Sequence, residues 1–159
     1  MNLQNFFKVQ DEANKLLVMD KTLNDYRLTA RKLLSLHVKL SDLANETKCF
    51  RYWEEEDNSP SKDAIMTKYI DCLSHILTIG LDKNYSDLKE VDLNPNDDCL
   101  SDQFLNLFID LNDIIISPSK DHYQTLFEDF MSLGISLGYS ESIIDDKYHS
   151  KMHSFISTK

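Results

Sequence analysis

The chain has 159 residues and carries 27 acidic against 17 basic side chains, a net charge of −10. That length suits a single domain spanning 1–159, and the charge argues against a nucleic-acid groove or an anionic membrane surface, both of which need clustered Lys and Arg. A hydrophobic share of 42% is too high for disorder, and 3 Gly with 3 Pro are too few for a turn-rich β fold. A small anionic substrate held through a metal ion stays open.

Cys49, Cys72 and Cys99 fit neither a CxxC metal spacing nor a disulfide framework, so free thiols in a reducing compartment are expected. No apolar run approaches the roughly 18 residues of a membrane span. The opening MNLQNFFKVQDE places acids where a signal peptide is apolar. A soluble, cytoplasmic protein is the expectation.

The first predicted helix covers Leu3 to Met19, with Leu3, Phe6, Phe7, Val9, Ala13, Leu16 and Leu17 as its apolar face. Gln10 and Asn14 lie four apart and share a side. They read either as a solvated edge or as an amide pair that bonds a base edge, since an amide offers donor and acceptor together. Asp20 to Asn24 is a polar break. The second helix, Asp25 to Phe50, carries Leu33, Leu36, Leu40 and Leu43 at helical spacing, beside a polar stripe of Ser35, Lys39, Asp42 and Glu46.

A loop from Glu54 to Ser61 follows, with Pro60 disfavouring helix before it and Ser61 as an N-cap. The third helix, Lys62 to Leu81, buries Ile65, Tyr69, Cys72, Leu73, Ile76 and Leu77 and carries Lys68, Asp71 and His75 on its polar side. His75 reads as a packed or solvated helix residue. Asp82 to Asp98 is acidic and is expected to be a solvated connection. The fourth helix, Leu100 to Ile115, has Phe104, Phe108, Leu111 and Ile115 on one side. Ser119 caps a fifth, Lys120 to Leu137, with Tyr123, Phe127, Phe130 and Gly134 on one face and Gly138 at its end. These aromatics read as core, with a share left for a subunit interface. A sixth helix starts after Ser140, carries Ile143, Ile144 and Tyr148, and is expected to fray at the end. The sum is an all-α bundle of about six helices with no strand. Helices two and three are expected to be antiparallel neighbours whose polar stripes face one another.

Facing carboxylate pairs at i, i+3 would clamp Mg²⁺ against a triphosphate and activate a water. Here the two pairs read Lys39-x-x-Asp42 and Lys68-x-x-Asp71, with Glu46 one turn further along. Three carboxylates and two ammonium groups support two readings: ion pairing without metal, or a weakened metal site.

Three segments carry a family resemblance. LSLHVKLSDLANETKCFRYW resembles the dimeric all-α dUTP pyrophosphatases of phages and Gram-positive bacteria, members of the all-α NTP pyrophosphatases, whose pattern is E-L-G-E-L-A-N-E and then F-K-F-W. YIDCLSHILTIGLD is similar to E-Y-x-D-x-L-H-F-x-L-S-I-G-L-E. FEDFMSLGISLGYSESIIDDKYHSK is similar to F-x-x-L-G-x-x-L-G-F-T-x-x-E-I-x-x-A-Y-x-x-K. Gln10 and Asn14 fall where the family has Gln followed four residues later by an acid or amide. The resemblance implies Mg²⁺-dependent hydrolysis of dUTP to dUMP in a homodimer. It implies that Asp42, Glu46 and Asp71 are the metal-binding and catalytic acids, that Gln10 and Asn14 lie at the nucleoside, and that Trp53 and Lys151 face base or phosphate. Lys39 and Lys68 stand where both pairs should begin with an acid. The family's K-N-x-x-N-x-x-R-Q reads Lys151-Met152-His153-Ser154-Phe155, with no Arg-Gln following, and Ser74 replaces the histidine after D-x-L. These departures lead to two expectations. One is a nucleotide-binding or regulatory protein that has lost catalysis and takes a protein partner or a deoxyuridine nucleotide. The other is an active enzyme with a reduced Mg²⁺ site, in which Lys39 or Lys68 touches phosphate.

Overall fold

A computed structural model describes residues 1–55 and 59–159. Six helices follow in order: α1 Gln4–Asn14, α2 Asp25–Thr47, α3 Lys62–Asp82, α4 Leu100–Ile116, α5 Lys120–Ser136 and α6 Glu141–Ser157. Four of their starts, those of α2, α3, α5 and α6, are fixed by side-chain caps. Asn24, Ser61, Ser119 and Ser140 accept from the backbone N–H of Arg27, Ala64, His122 and Ile143, each satisfying a donor that the first helical turn leaves unpaired. Gly138, at φ +91°, takes the left-handed turn after α5, which a glycine adopts without Cβ strain.

The centre is built from α3. The α2 helix packs along it most extensively, and α1, α5 and α6 also rest against it. Thr29 and Lys32, near the start of α2, bond Asp82 at the end of α3 at 3.1 and 2.7 Å, so the two helices run antiparallel. Leu36, Leu40 and Leu43 are wholly buried between them and the rest of the core. Each such side chain contributes about 1.5–3 kcal/mol on burial.

Two tyrosine–glycine contacts lock α3 to α5. Tyr123 of α5 donates to the Ile76 carbonyl at 2.9 Å with its ring on Gly80, and Tyr69 of α3 donates to the Phe130 carbonyl at 3.0 Å with its ring on Gly134. Tyr69 also stacks on Phe130, with centroids 4.3 Å apart.

Several expectations are corrected. Helix α1 stops at Asn14, five residues early: short turns at Leu16 and Leu17 unwind it, and Val18 projects into solvent at 96% exposure. Helix α2 stops at Thr47 because Lys48 turns left-handed at φ 59°. The acidic connection after α3 is partly core, since Leu88 and Val91 are buried, the Met1 ammonium donates to the Val91 carbonyl at 2.8 Å, and Leu3 N–H donates to the Lys89 carbonyl at 2.8 Å. Helix α6 stays helical to Ser157. Phe104, Phe127 and Phe130 are core, and the apolar side chains that α4 exposes are Leu105, Ile109, Ile115 and Ile116. Among the described residues, no helix is long and apolar enough to cross a membrane.

Candidate functional site

A cavity of about 470 Å³ opens where α1, α2, α3 and α6 meet. Each helix contributes one face at 3.6-residue spacing. Helix α1 gives Gln10, Ala13 and Asn14; α2 gives Leu28, Arg31, Lys32, Ser35 and Lys39. Helix α3 gives Asp71, Ser74, His75 and Thr78, and α6 gives Lys151, Met152 and Phe155. The early end of α1 has a consequence here: the unwound chain lays Leu17, Met19 and Leu23 over one wall. The lining therefore combines apolar and cationic side chains.

The floor is a polar network centred on Gln10, a side chain only 3% exposed. Its Oε1 accepts from the Ser74 hydroxyl at 2.8 Å and from the Tyr148 hydroxyl at 2.9 Å, and its Nε2 donates to Asn14 Oδ1 at 2.9 Å. Asn14 Nδ2 donates to Thr78 Oγ1 at 3.2 Å. A buried amide satisfied on both ends has one orientation. The amide pair expected on α1 is thus a fixed part of the cavity floor and no solvated edge.

The charged lining holds Arg31, Lys32, Lys39 and Lys151 against one carboxylate, Asp71. Asp71 is engaged by the Lys151 ammonium, and Lys32 is paired with Asp82 at 2.7 Å. Arg31 and Lys39 have no ion pair among the described residues. Burial first, and then the charges of Lys39 and Lys68, hold Lys151 below the usual lysine range. Burial and then Lys39 push His75 down as well, which leaves it neutral at pH 7. The Cys72 thiol behind this wall is raised by burial, and the charges of Lys39, Asp42 and Lys68 all reach it. It is an inert core thiol.

Gln10, Asn14, Lys39, Asp71 and Lys151 line this one cavity. Asp42, Glu46 and Lys68 are half-buried but do not line the cavity. Trp53 stands outside it, 44% exposed and edge-on to Phe50 and Tyr52. Sequence reasoning missed the roles of Tyr148, Ser74 and Thr78 in the floor, and of Arg31 and Lys32 in the wall. Arg31, Ser35 and Lys39 recur every four residues, a signal legible in the sequence.

A family model described as dUTPase matches residues 2–154. The chain belongs to the dUTPase family. No curated protein and no solved structure matches it. Members of the dUTPase family generally use Mg²⁺, and the donor set here can be tested against that ion. Magnesium wants several oxygen ligands in an octahedron. Among the described residues, no three His, Cys, Asp or Glu side chains are grouped as a metal ion would require. Asp71 already has an ammonium partner, and Lys39 and Lys68 bring two further positive charges to the same place. These residues do not fit a magnesium clamp.

Proposed function

We propose that this dUTPase-family protein binds a deoxyuridine nucleotide in the cavity and does not hydrolyse it, acting as a binding or regulatory protein. The observation that supports this reading is the Lys151–Asp71 ion pair on the wall of a cavity whose amide floor is intact. The floor offers Asn14 and Thr78 polar atoms to an edge rich in donors and acceptors, such as a uracil. The apolar lining of Leu17, Met19 and Leu28 suits a base and sugar. The acid that would carry a cation is neutralised from within the chain. A homodimer accompanies this reading, since Leu34 and Val38 on α2 and Leu105 and Ile109 on α4 are exposed apolar side chains on helices that pack together.

A second reading is an active enzyme that converts dUTP to dUMP and pyrophosphate with Mg²⁺ on Asp42, Glu46 and Asp71. Its support is that Asp42 and Glu46, one turn apart on α2, carry no ion pair among the described residues.

Thermal unfolding with dUMP tests the first reading. A ligand at about 100 times its dissociation constant adds about 2.7 kcal/mol to the native state, worth about 5–10 °C in a chain of this size. A rise of that order with dUMP in a metal-free buffer is the expected result. No rise with dUMP or dUTP at millimolar concentration, with or without Mg²⁺, would reject it.

A further inference from the structure

We propose that the cavity takes the polyphosphate of its nucleotide directly on Arg31 and Lys39 without a divalent cation, so that Mg²⁺ weakens binding. This inference rests on the reading that the cavity is a nucleotide site and concerns how the phosphates are held.

In a magnesium-dependent phosphate site, acids hold the cation and the cation holds the anion. The charges on this wall have the opposite arrangement. Four cationic side chains face one carboxylate, in a chain whose net charge is −10. A concave, low-dielectric wall of one sign focuses its field on an incoming ion of the other. Lys151 and Asp71 hold each other in place, and Lys32 is tied to Asp82. That leaves the Arg31 guanidinium and the Lys39 ammonium without carboxylate partners among the described residues.

Arg31, Ser35 and Lys39 rise along α2 at one-turn intervals. They also line a second recess of about 330 Å³, which shares His75 with the first. The two recesses share Arg31, Ser35, Lys39 and His75, so the same cations border both. The first also carries the amide floor of Gln10 and Asn14.

Arginine offers a planar fork to phosphate oxygens, lysine a compact point charge, and Ser35 a hydroxyl donor. A nucleoside triphosphate arriving as its magnesium complex has part of its negative charge cancelled. It also carries a divalent cation that the ammonium groups repel. Free triphosphate is therefore the preferred form.

Calorimetric titration of the full chain with dUTP decides the matter, in EDTA and again in excess Mg²⁺, with dUMP and inorganic triphosphate as further probes. The expected result is affinity for dUTP on the order of tenfold tighter in EDTA than in Mg²⁺, with dUMP affected far less. Lys39→Gln is expected to remove most of that difference and Lys39→Arg to preserve it, with thermal melts confirming that both variants fold. Tighter binding of dUTP in Mg²⁺ than in EDTA would overturn the inference while leaving nucleotide binding intact. Equal affinity in the two buffers, or a Lys39→Gln variant that keeps the full difference, would also overturn it. Absence of binding by dUTP and dUMP in both buffers would reject the nucleotide site itself.

Discussion

Replacing Asp110 with asparagine tests the electrostatics of the α4–α5 contact in isolation. Asp110 lies on the buried side of α4 at 7% exposure, and its Oδ2 has no donor. Its neighbour is the Asp129 carboxylate of α5, which accepts from Asn106 Nδ2 at 2.9 Å. Two ionised carboxylates cannot satisfy each other, but a proton on one lets its O–H donate to the other. Burial first, then the hydrogen bond to Asp129 and the charges of Asp129 and Asp113, push Asp110 up from 3.8 to about 8.

The sign follows from proton counting. Between roughly pH 4 and pH 8 the folded chain keeps a proton on Asp110 that the unfolded chain has lost. Stability therefore falls as pH rises through that window, by up to about 1.4 kcal/mol per pH unit, and levels off on either side. A side-chain amide at this position would supply the same donor permanently, so Asp110→Asn removes this component. Urea unfolding of both proteins from pH 5 to pH 9 measures it. The expected difference is about 1–2 kcal/mol at pH 5 and grows to several kcal/mol in favour of the variant by pH 8.5. Subtracting the two curves cancels the general repulsion of a chain with net charge −10. A variant less stable than wild type at pH 8.5, or a difference independent of pH, would refute the shared-proton account.

Other perturbations follow from the same geometry. Gly80→Ala and Gly134→Ala would each place a methyl within 3 Å of a tyrosine ring that a hydrogen bond fixes, and each is expected to cost about 1–3 kcal/mol in chemical denaturation. Gln10→Leu leaves the Ser74 hydroxyl without its acceptor and removes the strongest partner of Tyr148. A loss of about 1–3 kcal/mol together with abolished dUMP-induced stabilisation is expected in thermal melts. The double change Lys39→Glu with Lys68→Glu restores an acid at the head of each i, i+3 pair, and pyrophosphate release from dUTP in Mg²⁺ is expected to appear where wild type shows none.

The sequence conveyed what local chemistry determines. Ser61, Ser119 and Ser140 mark true helix starts because a capping hydroxyl acts within three residues. The leucine stripe of α2 is buried as its spacing requires. Helix α1 was overestimated because Leu16 to Met19 continue an apolar run, yet those residues cover a cavity and do not complete a helical face. What stayed hidden was set by distance along the chain. Tyr148 meets Gln10 across 138 positions and Lys151 meets Asp71 across 80, and no periodicity encodes such a meeting. Asp110 was legible in principle, since a carboxyl one turn beyond Leu107 and one before Ile114 falls on the buried stripe.

The most direct measurement is the rate of dUTP turnover by the unmodified chain in saturating Mg²⁺, read as pyrophosphate released. With Asp71 held by Lys151 and lysines heading both acid pairs, release indistinguishable from the protein-free control is the predicted result. Turnover in the ordinary enzymatic range of about 1–1,000 per second would contradict it and establish the reduced Mg²⁺ site instead.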